Sequence, residues 1–488
     1  MHQALVLLSL LAAAFVYLRF YPSKRATLPL PPGPKVDWLG RVPGLPRVRP
    51  WKTYAQWSER YGDLIYINML GNPILVLNSA TAAADLLERR GSLYSSRPLF
   101  PYGSRWQTHR AMFHRHLPTT ESSVKYHPLQ LEEARALCRR LLDSPREFRY
   151  HIRKTAAAIT VRMTYGECVN TDEYIVLADR ALASLAQAGI FGTYLVDYVP
   201  ILKYAPSWLP FQRKAREWRK PTRAMLNLPF AAVKQHLNDG CATKCVVTEE
   251  LERIGAADPA AESTVANVSA TLFAGGADTV ASALASFFLV MSLYPEVQRR
   301  GQEAIDGAIG QEHRLPLFTD RPQLEFIDYI CFELLRWGPV TPLGIAHYTT
   351  AQDQYKNFTI PKNTTVLPNV WAILHNPVMY PDPEVFNPDR FAPHNTINGK
   401  NQLPDPAFGF GRRICPGRHF AFDTLWICIS TLLTLYTITK DVDEHGNDIE
   451  PTTEFTPHLL SHPLPFGCTI TPRSSGARQL IELEAGGM

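Results

Sequence analysis

The chain has 488 residues, of which 45% are hydrophobic and 19% are charged, and this composition suits one large globular fold or two ordinary domains. A net charge of +5 is too small to indicate nucleic acid binding, and no basic run carries interleaved aromatic residues. The eight cysteines are scattered. Only Cys241 and Cys245 lie close together in sequence, without a second cysteine or histidine pair, so the spacing of a zinc site is missing. This cysteine usage is typical of a reducing compartment.

The N-terminal segment predicts a membrane anchor. Residues 4–18 form an apolar run broken only by Ser9, near the lower limit of the length that spans a bilayer. A cleaved signal peptide is the alternative, but the nearest basic residues follow the run instead of preceding it. By the positive-inside rule those charges stay in the cytosol, together with the bulk of the chain. We therefore predict a single-pass anchor over residues 1–21.

A proline-rich segment follows the apolar run. Residues 29–34 read Pro-Leu-Pro-Pro-Gly-Pro, which cannot form a helix or an inner strand, so residues 22–34 are predicted to be a stiff, extended hinge that acts as a spacer. The remaining chain, 35–488, forms the main domain. Its hydrophobic periodicity predicts helices over 51–61, 80–90 and 418–435, a strand pair over 64–68 and 74–78, and a mostly helical middle over 129–252.

Trp106 and Arg110 are four residues apart and share one face of a predicted helix. Taken alone, the pattern fits an ordinary amphipathic helix with a buried indole. The same short segment is rich in basic side chains, and such a surface would attract an acidic protein partner. The predicted docking surface comprises Arg105, His109, Arg110, His114, Arg115 and His116, joined by Arg412 and Arg418.

A helical pattern runs over residues 263–294, a length that crosses a whole domain. Its centre reads Ala-Gly-Gly-Ala-Asp-Thr over 274–279. Two adjacent glycines inside a helix cost about 1 kcal/mol each relative to alanine, so they need a reason. One reason is close packing against another helix. The other is room for a small ligand near Asp278 and the hydroxyl group of Thr279.

Glu333 and Arg336 are three residues apart and meet on one helix face. An exposed pair of this kind contributes little to stability. Here the neighbouring residues are apolar, which predicts a buried pair with a third partner, and Arg390 is the candidate. His347 follows Pro-Leu-Gly and is either a satisfied histidine at a strand end or a partner for an acid group.

The segment Phe-Gly-Phe-Gly-Arg-Arg-Ile-Cys-Pro-Gly, residues 408–417, carries the clearest chemical signal. Cys415 precedes a predicted helix, whose free N–H groups and dipole favour a thiolate, and Pro416 suits the first helical position. Gly411 and Gly417 allow the backbone to fold tightly around the sulfur. A structural cysteine is the alternative. Because the spacing of phenylalanine, glycines and cysteine arises by chance in roughly one such chain in a thousand, we favour an iron ligand.

This segment resembles the haem-binding signature of cytochromes P450, in which a cysteine thiolate is an axial ligand of the haem iron. The resemblance implies that Cys415 is the metal ligand. It also implies that Phe408 covers the sulfur and that Arg413 offers its charge to an acid group of the haem.

Two further motifs resemble the same family. Trp106 and Arg110 match the W-x-x-x-R helix that hydrogen-bonds a haem propionate, and His347 stands where the family often has an arginine or histidine for that purpose. The Gly-Gly-Ala-Asp-Thr pattern resembles the P450 oxygen-binding motif. It implies catalytic roles for Asp278 and Thr279 in proton delivery.

Glu333, Arg336 and Arg390 resemble the P450 triad that braces the cysteine loop. Taken together, the motifs resemble fungal microsomal P450 monooxygenases. The resemblance implies a mainly α fold with a small β-sheet region and a haem domain over 35–488. It also implies haem b as the cofactor, an anchor in the endoplasmic reticulum membrane and a cytosolic catalytic domain. Electrons would come from NADPH through NADPH-cytochrome P450 reductase, since the sequence has no flavin or nicotinamide module.

The implied function is a haem-thiolate monooxygenase that inserts one oxygen atom from O2 into a small apolar molecule, with no nucleic acid partner. A terpenoid or another secondary-metabolite intermediate is the expected substrate, by family analogy. Three alternatives stay open: an isomerase or dehydratase that does not consume O2, a detoxifying P450 of broad specificity, and a non-catalytic haem sensor or electron carrier. The isomerase would have little need for Asp278 and Thr279.

One segment departs from the family pattern. Only Leu99 and Phe100 lie between Ser-Arg-Pro at 96–98 and Pro-Tyr-Gly at 101–103. Members of the fungal group typically carry a longer run there, which forms a lid over the substrate. Either a piece of the sequence has been lost, or the cavity is more open and selects a bulky, rigid, apolar substrate by its shape.

Overall fold

A computed structural model describes the chain over residues 28–37, 41–46, 48–117, 123–188, 194, 196, 200–255, 258–310, 313–395 and 403–483. Its α-helices in chain order are α1 (Pro50–Tyr61), α2 (Ala80–Ala83), α3 (Gly91–Tyr94), α4 (Ser104–His116), α5 (His127–Asp143), α6 (Phe148–Tyr165), α7 (Thr171–Ala188), α8 (Pro210–Asn238), α9 (Val246–Ile254), α10 (Pro259–Leu293), α11 (Pro295–Ile309), α12 (Glu325–Trp337), α13 (Val370–Leu374), α14 (Arg418–Leu435) and α15 (Ser475–Leu483). A π-helical turn at Ala84–Arg89 continues α2.

Three small sheets accompany the helices. Their strands are β1 (Leu64–Met69), β2 (Asn72–Leu77), β3 (His347–Tyr348), β4 (Asp353–Tyr355), β5 (Phe358–Ile360), β6 (Thr365–Pro368), β7 (Tyr436–Val442), β8 (Asp448–Ile449) and β9 (Cys468–Pro472). The first sheet has the order β1-β2-β6-β3, in which β2 and β6 run parallel and the other pairs antiparallel. The others are the pair β4-β5 and the sheet β8-β7-β9. The predicted class, mainly α with a small β-sheet region, is confirmed.

The main core lies where α5, α6, α10, α12 and α14 meet. Trp426 and Leu433 of α14 and Phe287 of α10 are completely buried there, and each apolar side chain of this size stabilises the fold by about 1.5–3 kcal/mol. Because α14 follows the cysteine loop directly, this packing fixes the position of Cys415 relative to α10.

The long helix α10 is apolar on nearly all sides. Among the described residues it alone is long and apolar enough to cross a membrane, but 83% of its most apolar window is buried inside the protein. A helix that is apolar all round and buried belongs to the core of a large domain. The predicted anchor over residues 1–21 lies outside the described residues.

The described part of the proline-rich hinge packs against the domain. The N–H group of Tyr66 in β1 donates to the carbonyl oxygen of Pro32 at 2.9 Å, and the N–H group of Thr359 in β5 donates to that of Pro29 at 2.8 Å. A Cβ atom at Gly33 would lie 1.8 Å from the carbonyl oxygen of Tyr66, so only glycine allows this approach. The hinge therefore accepts hydrogen bonds from strands of two sheets, which the sequence alone did not indicate.

Candidate active site

The cysteine loop is closed by short backbone turns. The N–H group of Cys415 donates to the carbonyl oxygen of Phe408 at 2.8 Å. Gly411 has φ of 54°, in the left-handed region that favours glycine, and a Cβ atom there would lie 2.3 Å from the carbonyl oxygen of Leu87. Gly411 is therefore required both by its backbone angle and by the close approach of the π-helical turn.

Two details of the predicted loop are wrong. Helix α14 begins at Arg418 with Gly417 as its N-cap residue, so Pro416 lies before the helix and does not occupy its first position. Gly417 has φ of −93°, an ordinary value, and a Cβ atom there would make normal contact with Leu117 at 3.7 Å. The left-handed backbone angles lie further upstream, at Gly409 and Gly411.

The thiol group of Cys415 is not activated by the protein alone. Burial raises its pKa, and the Gly417 N–H group and the charges of Arg110 and Arg418 oppose this shift without reversing it. The helix dipole is therefore not enough to favour a thiolate here, since the cost of desolvating an anion is larger than the stabilisation by the dipole. A thiolate at this position needs a bound metal cation, which deprotonates a coordinating thiol outright.

Three half-buried arginines surround the cysteine loop, namely Arg97, Arg110 and Arg413. Burial lowers the pKa of Arg97 to about 9 and that of Arg413 to about 10, and in each case a neighbouring arginine adds to the shift. Burial lowers the pKa of Arg110 as well. Cations that are packed together in this way need an anion nearby.

Within the described residues, the hydrogen bonds of these three arginines end on neutral acceptors. Arg110 donates to the carbonyl oxygen of Ile414 at 2.7 Å and to Nε2 of His114 at 2.9 Å. Arg413 donates to the carbonyl oxygens of Ser95 and Phe100, and Arg97 to those of Ile345 and Ala346. A ligand with two carboxylates, such as haem, fits this set because it would supply the missing negative charge.

Trp106 lies beside this group on α4, the helix predicted from its spacing with Arg110. The guanidinium carbon of Arg413 stands 4.5 Å from the centre of the Trp106 ring, which is a cation–π contact. Trp106 therefore holds Arg413 in place. Phe408 is half-buried and packs against the main core, while its carbonyl oxygen binds Cys415.

His347 occupies the end of β3 and is 3% exposed. Its Nδ1 atom lies 2.8 Å from the carbonyl oxygen of Tyr94, and burial together with Arg97 lowers its pKa to about 3. A neutral imidazole that donates from Nδ1 has no proton on Nε2 to give to a carboxylate. In this neutral state His347 fits the first of its two predicted roles, a histidine at a strand end whose hydrogen bond is made within the protein. It would bind a propionate only after gaining a second proton.

The two glycines in the centre of α10 have different surroundings. A Cβ atom at Gly276 would lie 2.5 Å from Cγ2 of Thr160 in α6, whereas one at Gly275 would have nothing within 4 Å. Helix packing therefore explains Gly276, and open space beside the helix explains Gly275. Thr279 lies one turn after Gly275, and its hydroxyl group donates to the Gly275 carbonyl oxygen at 2.7 Å.

Asp278 faces α6 and the hairpin of residues 454–464. Arg153 donates to its Oδ1 atom at 2.6 Å, and Nε2 of His462 lies 3.4 Å from its Oδ2 atom. Burial alone would raise the pKa of Asp278, but the hydrogen bonds and charges of His462 and Arg153 lower it to about 2. Asp278 is therefore ionised at neutral pH.

The predicted structural triad is confirmed as a set of contacts. Arg336 donates to both carboxylate oxygens of Glu333 at 2.6 and 2.8 Å, and both side chains are completely buried. Arg390 donates to the same carboxylate at 3.3 Å and also to backbone carbonyls between residues 381 and 385. The triad thus ties α12 to the segment after α13.

The predicted docking surface needs correction at two positions. Arg115 donates two hydrogen bonds of 2.7 Å to Glu250 of α9, and His116 is buried against the same carboxylate. These side chains join α4 to α9 and do not contribute free positive charge. Arg105 and Arg412 are exposed and remain candidates for docking.

The short segment before α4 is held at both ends. Arg97 is bound to residues 345 and 346, and Arg413 binds Phe100. Between them Leu99 is 97% exposed. No residues remain in this stretch for a lid.

Sequence reasoning missed three residues that contact the predicted site. Arg97 belongs to the Ser-Arg-Pro segment at 96–98, but the sequence alone assigns it no function. Its role depends on Arg413, a neighbouring cation that is far away in sequence. Arg153 and His462 lie 125 and 184 residues from Asp278, and no local spacing points to either pairing.

Comparison with known proteins agrees with this geometry. The family model described as "Cytochrome P450" matches residues 30–469. A cytochrome P450 monooxygenase of Armillaria gallica is 38% identical over 493 residues, covering 96% of both chains. The cytochrome P450 monooxygenase COX2 of Coprinopsis cinerea is also 38% identical, covering 92% of this chain and 90% of its own. The alignment with the Armillaria protein is longer than this whole chain, so that relative carries residues with no counterpart here.

Proposed function

Because the chain belongs to the cytochrome P450 family and its relatives are monooxygenases, we propose that it inserts one atom of O2 into an apolar small molecule of secondary metabolism, such as a terpenoid intermediate. The observation that supports a haem cofactor is that three arginines lie around the cysteine loop and that their hydrogen bonds, within the described residues, end on neutral acceptors. The substrate class rests on the apolar character that the family implies and on the absence of a lid in the stretch before α4.

The residues fit haem b with a thiolate ligand. Cys415 would hold the iron, and Arg97, Arg110 and Arg413 would pair with the two acid groups. Trp106 would keep Arg413 in position through its ring. When bound, haem supplies the redox chemistry that activates O2, and thiolate ligation favours cleavage of the O–O bond.

The protein's own part is to leave space and to move protons. Gly275 leaves room beside α10. Thr279 keeps its hydroxyl group fixed on the Gly275 carbonyl oxygen, with its lone pairs free to accept a hydrogen bond. Asp278, the residue before Thr279, faces α6 and binds Arg153 of that helix. An isomerase has no use for this acid and hydroxyl pair, which makes it the weaker candidate.

The electron donor would be NADPH-cytochrome P450 reductase. Exposed Arg105 and Arg412, with half-buried Arg418, offer a basic surface near the cysteine loop to an acidic flavoprotein. We also place the protein on the endoplasmic reticulum membrane. Support comes from the apolar run at residues 4–18 and from exposed apolar side chains before and in α8, including Trp208, which is 70% exposed.

The test is product analysis with the reconstituted holoprotein, with and without NADPH and O2. A monooxygenase needs both, an isomerase or dehydratase needs neither, and a sensor gives no product. The control is Cys415→Ala, which should lose the carbon monoxide absorption band typical of thiolate haem, together with most of the haem. Retention of that band would exclude Cys415 as the ligand.

A further inference from the structure

Asp278 is ionised in the resting protein, so it cannot store the proton that it is proposed to deliver. A partner must supply it. The described partners of the Asp278 carboxylate are Arg153 and His462. Arginine does not release its proton in proteins, and the second terminal nitrogen of Arg153 is bound to Asp179 of α7. An imidazole can release a proton near neutral pH.

The position of His462 is fixed by its backbone. Its N–H group donates to Oγ1 of Thr456 at 3.0 Å, and its carbonyl oxygen accepts from the Thr456 N–H group at 2.8 Å. Next to it, the carbonyl oxygen of Ser461 accepts from the hydroxyl group of Ser282 in α10 at 2.6 Å. The hairpin is thus attached to the helix that carries Asp278, so the imidazole stays in reach of the carboxylate.

Solvent access differs along this line of groups. The side chain of His462 is 26% exposed, whereas that of Asp278 is 13% exposed. The imidazole can therefore exchange protons with water on one side and face the buried carboxylate on the other.

We propose that His462 is a positioning residue that carries protons from solvent to Asp278 and so toward Thr279. The imidazolium gives its Nε2 proton to the Oδ2 atom of Asp278, so that an N–H bond breaks and an O–H bond forms. The carboxyl O–H bond then breaks as its proton passes to a water molecule on the Thr279 side, which restores the carboxylate, and the imidazole takes another proton from solvent. The inference rests on the proposed monooxygenase function, because only there is a proton consumed beside Thr279.

The other charged groups near His462 are carboxylates and guanidinium groups. Asp278 lies on α10, Arg153 and Arg149 on α6, and Asp179 on α7 beyond Arg153. Arg149 donates to the carbonyl oxygens of residues 463 and 464. At neutral pH aspartate ordinarily holds no proton and arginine keeps its proton. Among these side chains, imidazole is the type that can both give and take a proton near neutral pH.

The first experiment needs no turnover. Histidine-labelled holoprotein in its carbon monoxide form is titrated by NMR, with the His462 signal assigned from His462→Gln. Because Asp278→Asn removes the carboxylate that lies 3.4 Å from Nε2 of His462, the His462 curve should differ between this variant and the wild type. His458, exposed on the same hairpin, serves as control and should not respond. An unchanged His462 curve would overturn the contact on which the proposal rests.

The second experiment measures the peroxide released per NADPH by reconstituted holoprotein without substrate, between pH 6 and pH 9. NADPH and O2 give water when protons arrive in time for the O–O bond to break, and otherwise give H2O2, whose two protons come from solvent. The wild type should therefore release a lower fraction of peroxide than a variant without the relay, and this fraction should depend on pH. His462→Gln should release a high fraction at every pH, and His458→Gln should follow the wild type. His462→Arg keeps a cation beside Asp278 but cannot give up its proton, so it should behave like His462→Gln.

Each outcome decides between explanations. If His462→Arg restores the wild-type profile, His462 acts only through its charge and the relay is refuted. A wild-type profile in His462→Gln also refutes it. If wild type gives neither product nor peroxide with NADPH and O2, the monooxygenase function fails, while the NMR titration still reports on the pairing of His462 and Asp278. Haem content from the carbon monoxide spectrum shows whether each variant is folded.

Discussion

The adjacent glycines of α10 offer a sharp test, because the same substitution should have opposite effects at the two positions. Alanine inside a helix is more stable than glycine by about 1 kcal/mol. At Gly275 the new methyl group meets nothing within 4 Å. Gly275→Ala should therefore raise the free energy of unfolding by about 1 kcal/mol, while its methyl group narrows the open space and weakens carbon monoxide binding.

At Gly276 the new methyl group would lie 2.5 Å from Cγ2 of Thr160. Overpacking a tight core costs about 1–3 kcal/mol, which cancels or exceeds the gain in helix propensity. Gly276→Ala should therefore lower the free energy of unfolding by about 0–2 kcal/mol. Carbon monoxide binding should change little, because this glycine faces α6.

Thr160→Ser tests whether the contact with Cγ2 of Thr160 causes the loss of stability in Gly276→Ala. It removes Cγ2 and keeps the hydroxyl group, which binds the carbonyl oxygens of Ala156 and Ala157 at 2.8 and 3.0 Å. Alone it should cost about 1 kcal/mol for one buried methyl group. Combined with Gly276→Ala it should restore stability, and combined with Gly275→Ala it should not.

Unfolding of the haem-loaded proteins in urea, followed by circular dichroism and by haem absorbance, measures these differences. The three single variants, the two double variants and the wild type form two double-mutant cycles. Equal losses at both glycines, or no coupling between Gly276 and Thr160, would refute our assignment of one glycine to packing and the other to ligand space.

Three further predictions concern charge and the short segment. The pKa of Asp278 is about 2 in the folded protein against 3.8 in the unfolded chain. This difference adds about 2 kcal/mol to the free energy of unfolding above pH 4, and the contribution is lost as the pH falls toward 2. Asp278→Asn should therefore make the free energy of unfolding depend less on pH over that range. Arg412→Glu should slow reduction by the reductase most at low salt. Arg115→Glu should mainly lower Tm, because it removes two hydrogen bonds from the buried Glu250 carboxylate and places a second acid beside it; equal, salt-independent effects would contradict both assignments. Inserting a relative's loop after Pro98 should leave folding intact and narrow the range of terpenoids that shift the haem from low to high spin. If only the extended chain binds haem, the short segment is a defect. If small planar aromatics alone give the spin shift, the bulky-substrate proposal fails.

Much of the fold and part of the site followed from the sequence because the deciding interactions are local. The spacing of apolar residues predicted α14 at its observed bounds and α10 within a few residues. The spacing of Phe408, Gly411 and Cys415 was enough to mark the cysteine loop, since these residues lie within ten positions of one another. The errors at Pro416 and Gly417 are shifts of one or two residues, which local patterns do not resolve.

The partners of charged groups were decided by the tertiary structure. Arg115 looked like part of a docking surface until α9 brought Glu250 to it from 135 residues away. The same holds for Arg153 and His462, which meet Asp278 only because α6 and the hairpin pack against α10. The two glycines of α10 are identical in sequence terms, and Thr160 of α6 distinguishes them. A sequence determines which side chains can be charged, small or apolar, but their surroundings depend on packing between distant elements, and those surroundings determine pKa, pairing and open space.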